Sequence, residues 1–340
     1  MKVAITGGAG FLGQLLIRAL CDRGRLTDSA GIEREITQIT SVDQAQAKPT
    51  VVDDRVGYVA GDVSNASFLN HVLAADTDSV FHLAAVVSGA AEADFDLGMR
   101  VNLDGTRNLL QTSRTQVALA KVVYASSLAV FGRDSEPSEG QGDGASDAGA
   151  DIVLNDQTAP TPQTSYGAQK LIGEILLADM SRKGFIDGRT LRLPTVVVRP
   201  GKPNAAASGF ASGIIREPLA GVESLCPVTL DTEMWVNSPQ ATVAALIHAH
   251  ELPREKIGAQ AINLPGLTVT VAQMLAALQA VGGDAARARV KLVADEKIRA
   301  IVRTWPARFV TARADALGFP RATSFVDIVR TYAAEHVART

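Results

Sequence analysis

The segment from Tyr166 to Lys170 carries a phenol and an ammonium four residues apart. The apolar positions that follow predict a helix, and this spacing places both groups on one helix face. A tyrosine ordinarily has a pKa of about 10, so a phenolate at neutral pH needs about 4 kcal/mol of stabilisation. An ammonium ~4 Å away provides about that much at an effective dielectric constant of about 20. The pair predicts a base that removes a hydroxyl proton, with Tyr166 as the base and Lys170 as its supporting cation.

Two serines, Ser126 and Ser127, end an apolar run at residues 121–125 that predicts a strand. Ligands of open α/β sheets bind at the carboxyl ends of strands, so a hydroxyl here can hold a reacting oxygen. The alternative is that the serines only satisfy backbone groups where the strand ends. We predict Ser127 as the third catalytic residue beside Tyr166 and Lys170.

A glycine-rich turn near residue 10 provides a place for a dinucleotide. Gly7, Gly10 and Gly13 follow a predicted strand at residues 2–6 and open a predicted helix at residues 11–24. In this context the first glycine permits the turn, the second lets the backbone approach a pyrophosphate, and the third allows close helix packing. The positive end of the helix dipole then faces the diphosphate. The alternative is a purely structural glycine turn.

Asp43 follows the second predicted strand, residues 35–42, and distinguishes the two nicotinamide cofactors. Its carboxylate can accept hydrogen bonds from both hydroxyls of the adenosine ribose, and its charge repels a 2′-phosphate. The sequence therefore predicts NAD rather than NADP, with an ordinary surface turn as the alternative. Asp43 lies 30 residues after Gly13, where about 20 is usual. The polar stretch 26–34 is interpreted as an insertion that accounts for the excess.

The elements that must position these groups alternate along the first half of the chain. Short β-branched runs predict further strands at residues 56–60, 79–83 and 190–198, and an amphipathic pattern predicts a helix at 97–114. This order is typical of an α/β fold. We predict a Rossmann-type doubly wound parallel sheet with a smaller carboxyl-terminal substrate domain.

The chain divides into two predicted domains. We expect an NAD-binding Rossmann domain at residues 1–198, with residues 235–262 packing back onto it, and a substrate-binding domain at 199–234 and 263–340. An acidic stretch at residues 133–160 interrupts the first domain. It is interpreted as a solvated insertion, with a flap over the active site as the alternative.

Composition and charge narrow the range of partners. The chain has 340 residues, 33 basic and 36 acidic side chains, and a formal charge of −3, which disfavours nucleic-acid and membrane partners. Its two cysteines, Cys21 and Cys226, lack metal-ligand spacing, so neither a disulfide framework nor a metal site is predicted. The opening apolar run is too short for a signal peptide, and no apolar window of about 18 residues occurs. We expect a cytoplasmic protein with a small-molecule substrate.

Six short sequence motifs follow one another along the first half of the chain. They are TGGAGFLG at residues 6–13, GDV at 61–63, HLAA at 82–85, NLDGT at 102–106, SSLAVFG at 126–132 and YGAQK at 166–170. The chain resembles the extended short-chain dehydrogenases, that is, the NAD-dependent epimerase/dehydratase family. The resemblance implies a homodimer as the assembly to test. It also implies further cofactor contacts, from Phe11, Leu12, Asp62, Val63, Leu83, Ala84, Ala85, Asn102, Ser126, Tyr166, Lys170 and Leu193.

Three of these residues take specific roles from the resemblance. Asp62 would contact the adenine, Ala84 would lie along the dinucleotide, and Asn102 would support the geometry of the active site. Asp62 has a structural alternative, which is to cap a helix at residues 64–73. His82, within the HLAA motif, is interpreted as a core histidine rather than a catalyst or metal ligand.

Members of this family catalyse epimerisation, dehydration or simple oxidation, so local residues must decide among these reactions. Dehydratases of the family follow the Ser127 hydroxyl with Asp-Glu, whereas Leu128 and Ala129 stand there in this chain, which disfavours dehydration. Epimerases carry an Asn where this chain has Thr195, and an HVxD-like segment where it has WVNS at 235–238. A nucleotide-sugar substrate is therefore disfavoured.

The stretch 192–210 is distinctive and resembles the sugar-acid dehydrogenases of the family. A small hydroxy acid needs a fixed cation for its carboxylate, and the candidates in the predicted substrate segment are Arg199, Lys202 and Arg216. The other predicted substrate contacts are Ser88, Ser127, Thr195 and Asn204. We expect oxidation of the C2 hydroxyl to a 2-oxo acid, with Lys170 also binding the ribose. The alternatives are a nucleotide-sugar 4-epimerase and a non-enzymatic NAD-binding regulator.

Overall fold

The computed structural model describes residues 1–44, 51–73, 75–132, 152–201 and 206–337. The chain forms two units. The first comprises Met1–Ser127, Ser165–Arg192 and Val243–Ile262, and the second comprises Leu128–Thr164, Leu193–Thr242 and Asn263–Thr340. Within the described ranges, no helix has both the length and the hydropathy that a bilayer span requires.

Strands and helices occur in both units. The strands are β1 (Lys2–Thr6), β2 (Arg25–Thr27), β3 (Glu33–Glu35), β4 (Gln38–Asp43), β5 (Val56–Ala60), β6 (Ser79–His82), β7 (Lys121–Ser127), β8 (Asp187–Leu193), β9 (Thr195–Val196), β10 (Ser224–Cys226), β11 (Glu233–Asn237), β12 (Ile262–Asn263), β13 (Leu267–Thr270) and β14 (Val290–Leu292). The helices are α1 (Phe11–Arg23), α2 (Ala66–Val72), α3 (Ser88–Ala93), α4 (Phe95–Gly98), α5 (Gly105–Ser113), α6 (Ser165–Arg182), α7 (Gly209–Leu219), α8 (Pro239–Glu251), α9 (Arg254–Ile257), α10 (Val271–Ala288), α11 (Glu296–Val302), α12 (Ala312–Ala316) and α13 (Phe325–His336). A π-helix, Met99–Asp104, joins α4 to α5, and a 3₁₀ turn, Leu128–Val130, follows β7.

A seven-stranded sheet has the strand order β12-β8-β7-β6-β1-β4-β5. The pairs β1–β4, β4–β5, β1–β6 and β6–β7 are parallel. Because the order along the chain reverses between β1 and β6, this is the doubly wound arrangement of a Rossmann fold. The loops after β1 and β6 therefore border the crevice where such sheets bind ligands.

The central strands are buried on both faces, which is why they are continuous apolar runs without alternation. Ala4, Val80 and Val122 of three neighbouring strands lie in one core cluster, together with Leu109 from α5 and Leu177 from α6. On α1, the buried positions include Leu16, Ile17 and Leu20, at the three- and four-residue spacings of an amphipathic helix.

The stretch 26–34, predicted as an insertion, is largely a β-hairpin in which β2 pairs antiparallel with β3. The backbone N–H and the hydroxyl of Thr27 both donate to the Glu251 carboxylate at 3.0 Å. The buried Lys121 ammonium donates to the Thr27 carbonyl at 2.8 Å and to the His250 carbonyl at 2.9 Å. The predicted strand 35–42 was wrong at its start, because residue 35 belongs to the hairpin and β4 begins at Gln38.

The second unit has its own apolar core. Strand β11 pairs in parallel with β9 and antiparallel with β13, and β10 pairs in parallel with β14. Ile214 of α7, Met274 and Leu278 of α10, and Val329 of α13 are buried in one cluster with Val236 of β11. Helix α10 begins with a capping box between Thr270 and Gln273, which satisfies N–H groups of its first turn.

The unit boundaries differ from the predicted domain boundaries. Residues 128–164, 193–198 and 235–242, assigned from sequence to the first domain, group with the second unit. One reason is that Thr195 and Val196 pair with Val236 and Asn237 within one small sheet. Another is a bridge between Leu154 and Phe309. These long-range pairings have no local sequence signature.

Candidate active site

Helix α6 carries Tyr166 and Lys170 near its start, as the spacing predicts. The Lys170 Nζ atom lies 5.8 Å from the centroid of the Tyr166 ring and donates a hydrogen bond to the Ala125 carbonyl at 2.9 Å. Lys170 is buried, whereas Tyr166 is partly exposed. The structure therefore brings the predicted base and its cation together beside the carboxyl end of β7.

Burial changes the charge state of this site. It lowers the pKa of Lys170 to about 7, and the negative charge of Glu174 opposes this lowering. Burial also raises the pKa of Tyr124 well above its ordinary value, although that ring lies only 4.8 Å from the same ammonium. Tyr124 thus keeps its proton, and Tyr166 is the candidate base.

Ser126 and Ser127 end β7, and the two hydroxyls have different environments. Ser126 is buried and its hydroxyl donates to Glu174 at 2.5 Å. Ser127, the predicted catalytic serine, is partly exposed. The Glu174 carboxylate also accepts hydrogen bonds from Arg192. Sequence reasoning missed Glu174 and Arg192, and the one available signal was that Glu174 lies one helical turn after Lys170.

The glycine loop has the close contacts that its three glycines predict. Gly7 has a φ of 72°, and a Cβ there would lie 2.7 Å from the Ala84 nitrogen. A Cβ on Gly13 would lie 2.4 Å from the Gly7 carbonyl oxygen. A Cβ on Gly10 would lie 3.2 Å from the same carbonyl oxygen. The turn at Gly7 and the packing of α1 through Gly13 therefore require glycine, and a Cβ at Gly10 would be crowded by a backbone oxygen.

The start of α1 fits the pyrophosphate of a dinucleotide. Its N-cap residue, Gly10, provides no side-chain hydrogen bond, and the first turn contains no acidic residue. The first N–H groups of a helix lack partners within the helix, and the helix dipole makes this end positive. Phe11, Leu12 and Gly13 are the residues that present these N–H groups, so the loop can hold two phosphates without a lysine or arginine.

Asp43 is the last residue of β4, next to β1 in the sheet. Its carboxylate accepts a hydrogen bond from the Ala9 N–H at 3.0 Å. Asp43 therefore anchors the glycine loop. This contact gives the carboxylate a structural role in addition to the predicted recognition of the ribose.

An Asp43→Asn variant is expected to reduce the preference for NADH over NADPH about 10- to 100-fold, because one charge-assisted hydrogen bond contributes about 1.5–3 kcal/mol. The amide can still accept from Ala9, so the loop is retained. Fluorescence titration with NADH and NADPH measures both dissociation constants without a substrate. Asp22→Asn, at an exposed position, is the control. An unchanged ratio for Asp43→Asn would remove Asp43 from cofactor selection.

The loop after β6 lies against the glycine loop and contains Leu83, Ala84 and Ala85. Asn102 holds the next residue of this loop, since its side chain accepts from the Val86 N–H at 2.7 Å and donates to the Val86 carbonyl at 3.1 Å. Asn102 also donates to the Gln169 side chain on α6 at 2.8 Å. Asn102 lies in the π-helix between α4 and α5, a distortion that often marks functional sites. Asn102 therefore links the loop after β6 to helix α6, and its supporting role in the active site stays a prediction.

Asp62 and Val63 lie between β5 and α2. The Asp62 carboxylate accepts a hydrogen bond from the Ser64 N–H at 2.8 Å. The residue that caps α2 is Asn65, whose side chain accepts from the Phe68 N–H. The structural alternative for Asp62, a helix cap, is therefore wrong. Val63 is buried against Gly105.

His82 is fully buried, as a core histidine would be. Its Nδ1 lies 2.6 Å from the Thr6 hydroxyl and its Nε2 lies 3.0 Å from the Thr106 hydroxyl. Burial lowers the pKa of His82 to about 3, and the neighbouring Lys170 charge adds to this lowering. Both ring nitrogens are thus engaged in a neutral hydrogen-bond network.

We expect acid to destabilise the protein through this histidine. Above pH ~6.5 the imidazole is neutral in both folded and unfolded chains, but below it only the unfolded chain takes up the proton. The free energy of unfolding then falls by up to about 1.4 kcal/mol per pH unit per histidine, down to a pH near the folded pKa. His82→Gln should remove one such contribution in urea unfolding between pH 7 and 5. His71→Gln, at an exposed position, should keep the wild-type slope, and equal slopes for both variants would contradict the expectation.

The predicted substrate residues fall in both units. Ser88 begins α3 in the first unit, which also contains Ser127. Leu193, Thr195 and Arg199 belong to the second unit. The Arg199 backbone N–H donates to Ser212 at 3.0 Å and its guanidinium donates to Ser208 at 3.3 Å. Lys202 and Asn204 lie outside the described residues, as does most of the acidic stretch 133–160.

Arg216, the third cation considered from sequence, is buried in the second unit. Its guanidinium donates to the Arg199 carbonyl at 2.8 Å and to the Glu217 carboxylate at 2.5 Å. These contacts orient the chain around Arg199. A structural role therefore accounts for the Arg216 charge.

The described part of the second unit also has a cavity of ≈ 470 Å³ that sequence reasoning did not anticipate. Arg299, Arg303 and Arg308 contribute to its lining, and so does Trp305. Arg308 is paired with Glu233 at 2.8 Å. The Trp305 Nε1 atom is buried without a hydrogen-bond partner among the described residues.

Comparison with known proteins defines the class of this chain. A model of the NAD dependent epimerase/dehydratase family matches residues 3–236, and the chain belongs to this family. It is 51% identical to the D-erythronate dehydrogenase of Cupriavidus necator over 98% of both chains. It is 39% identical to the D-erythronate dehydrogenase of Haemophilus influenzae, also over 98% of both chains. The solved structure of the nucleoside-diphosphate-sugar epimerase from Agrobacterium tumefaciens is 39% identical, with a TM-score of 0.87 over 99% of this chain and 94% of that one.

These findings confirm the predicted family, the Rossmann-type α/β fold, NAD as cofactor and the class of NAD-dependent oxidoreductase. The segment 192–210 resembles D-erythronate dehydrogenase in particular, and the two relatives of that name agree with this interpretation. The roles of the individual site residues and the functional division into domains stay predictions.

Proposed function

We propose that this chain oxidises the C2 hydroxyl of D-erythronate to give 2-dehydro-D-erythronate, with NAD as the electron acceptor. The observation that carries the proposal is the 51% identity, over 98% of both chains, to the D-erythronate dehydrogenase of C. necator. The site supports it, because Tyr166 and Lys170 provide a base for a hydroxyl proton. In addition, Leu128 and Ala129 follow Ser127 at the position where dehydratases have Asp-Glu.

In the proposed reaction, the alcohol loses two hydrogens, one from C2 as a hydride and one from the hydroxyl as a proton. NAD, when bound, supplies the hydride acceptor for the hydrogen on C2. The Tyr166 phenolate takes the hydroxyl proton, and a C2 carbonyl forms. In its ammonium form, Lys170 stabilises the Tyr166 phenolate, and it also binds the ribose. The Ser127 hydroxyl donates a hydrogen bond to the reacting oxygen.

The two units have separate roles in this proposal. The first unit binds NAD, since it holds the glycine loop, Asp43 and helix α6. The second unit provides substrate contacts, with Arg199 or Lys202 pairing with the carboxylate and Thr195 and Asn204 contacting hydroxyls. Ser88 of the first unit is a further contact. Because a cation of the second unit would pair with the carboxylate of the substrate, the enzyme would favour a sugar acid over a neutral sugar.

An NADH absorbance assay with D-erythronate and NAD tests the proposed function. We expect NADH formation with D-erythronate and none with UDP-glucose or UDP-galactose. Product mass should be two hydrogens below that of the substrate. Absence of NADH formation with D-erythronate would overturn the proposed substrate.

A nucleotide-sugar epimerase is the second candidate, because the solved structure with a TM-score of 0.87 is that of a nucleoside-diphosphate-sugar epimerase. Epimerisation produces no net NADH, so it needs a separate measurement. Chromatography of UDP-glucose and UDP-galactose after incubation with the enzyme and NAD provides this. Interconversion of the two sugars would favour the epimerase over the dehydrogenase.

The assembly is proposed to be a homodimer. Phe95 on α4 and Ile172 and Ile175 on α6 are exposed apolar side chains of the first unit, with Ile175 60% exposed. Burial of such side chains favours association of two copies. Light scattering during size-exclusion chromatography should give twice the mass of one chain.

A cytoplasmic location and the absence of nucleic-acid partners also stay part of the proposal. Cell fractionation tests the location, and a nucleic-acid binding assay tests the absence of such partners.

A further inference from the structure

One buried carboxylate, that of Glu174, joins three elements behind the predicted active site. Its side chain is 5% exposed. It accepts hydrogen bonds from the Ser126 hydroxyl of β7 at 2.5 Å, and from Arg192 of β8, from Nε at 3.0 Å and from Nη2 at 2.7 Å. Glu174 thus ties helix α6 to the strand end that carries Ser127.

Glu174 also lies one helical turn after Lys170, on the same side of α6. In the described part of the chain, it is the acidic group whose charge supports the Lys170 ammonium. The other titratable or charged groups around that ammonium are the phenols of Tyr124 and Tyr166, the neutral imidazole of His82, and the Arg192 guanidinium beyond Glu174. Hence, among the residues that the structure describes, Glu174 is the negative charge that offsets the burial of Lys170.

A purely stabilising role does not account for this arrangement. A buried ion pair gains about as much Coulomb energy as it loses in desolvation, and apolar residues of similar volume are often equally stabilising. The Arg192–Glu174 pair is buried on both sides, with side-chain exposures of 11% and 5%. Its position beside Ser126 and Lys170 is what distinguishes it from an apolar contact.

We propose that Glu174 is a positioning residue for the oxidation: it keeps Lys170 in its ammonium form and fixes the end of the strand that bears Ser127. The proposal rests on the proposed roles of Tyr166 and Lys170, but not on the identity of the substrate. Electrostatics gives the direction in which removal of the Glu174 charge shifts the ionisation of Lys170 and Tyr166. Without the Glu174 charge, Lys170 loses its proton at lower pH, and the Tyr166 phenolate then forms at higher pH because its cation is missing.

A Glu174→Gln variant tests this, since the amide keeps the size and can still accept from Ser126 and Arg192. The ionisation of Tyr166 is followed by ultraviolet difference absorbance, with the Tyr166→Phe form of each protein subtracted. We expect the midpoint to rise by about one pH unit, and the pH profile of kcat to shift in the same direction. The dissociation constant for NADH should change less than about threefold. Asp179→Asn, which removes an exposed partner of Arg182 on the same helix, should leave the midpoint unchanged.

Glu174→Gln leaves the Arg192 charge buried without its counter-ion, so loss of folding must be separated from loss of positioning. The double variant Glu174→Gln/Arg192→Met removes both charges. We expect it to unfold at a urea concentration close to that of the wild type and to keep the raised Tyr166 midpoint. Glu174→Asp, which retains the charge, should keep the wild-type midpoint. A wild-type midpoint in the folded double variant would overturn the proposal, because the pair would then be structural alone.

The titration needs no substrate, so its failure and failure of the proposed function are distinguishable. A raised midpoint together with no oxidation of D-erythronate would leave the role of Glu174 intact and reject only the substrate. An unchanged midpoint together with normal oxidation would reject the role of Glu174 and leave the substrate intact.

Discussion

A Tyr166→Phe variant is expected to oxidise D-erythronate about 10³-fold more slowly than the wild-type chain, because a positioned base contributes about 10²- to 10⁴-fold to proton transfer. The change removes one hydroxyl and keeps the ring, which lies 5.8 Å from the Lys170 ammonium. Affinity for NADH should be unchanged, since the glycine loop and Asp43 are not altered. Stopped-flow or steady-state NADH absorbance gives kcat, and fluorescence titration gives the dissociation constant.

Tyr58→Phe is the matched control. The Tyr58 hydroxyl on β5 contacts the Val51 carbonyl at 3.2 Å and has no place in the predicted site. Its loss should leave kcat within about twofold, because it removes no group that takes part in the proposed proton transfer. If Tyr166→Phe retained more than a tenth of the wild-type rate, Tyr166 would not be the base. If it also preserved cellular function, the alternative of an NAD-binding regulator would be favoured.

A Gly13→Ala variant is expected to weaken NADH binding about 100-fold, which corresponds to the loss of one or two charge-assisted hydrogen bonds of about 1.5–3 kcal/mol each. The added Cβ would lie 2.4 Å from the Gly7 oxygen and 2.6 Å from the Gly8 Cα atom. Both are backbone atoms, so relief requires the loop to move away from α1. Overpacking of this kind also costs about 1–3 kcal/mol of stability. Fluorescence titration and urea unfolding measure the two effects.

Gly57→Ala provides the comparison for this change. A Cβ on Gly57 would meet no atom of the described residues within 4 Å, and Gly57 lies in β5 of the same sheet. Its NADH affinity should equal that of the wild type, and its stability should be equal or slightly higher. Equal NADH affinities for the two glycine variants would mean that the close packing at Gly13 does not shape the cofactor loop.

Much of this architecture could be predicted because its determinants are local. Gly7, Gly10 and Gly13 adjoin one strand and one helix, so their spacing alone defines the loop. The four-residue spacing of Tyr166 and Lys170 fixes their common face on any helix. The buried strands are short apolar runs, and their order along the chain predicted the doubly wound sheet that the structure has.

The rest depends on contacts between distant residues. Glu174 is one acidic residue on a helix, and only the packing of α6 against β7 and β8 shows that it meets Ser126 and Arg192. The spacing of Tyr166 and Lys170 also predicts a permanent cation at Lys170, whereas burial lowers the pKa of Lys170 to about 7. Burial of a charged group is set by the whole fold, so no local spacing could reveal it.

The hairpin formed by β2 and β3 constrains how this fold can be shortened. The Lys121 ammonium is buried at the start of β7, and one of its two carbonyl acceptors is that of Thr27. Deleting the hairpin would remove the Thr27 carbonyl and so deprive the buried Lys121 ammonium of one of these two hydrogen-bond acceptors. A homologue without this hairpin would therefore be expected to carry an uncharged residue at the position of Lys121, and the two features should be gained or lost together during evolution.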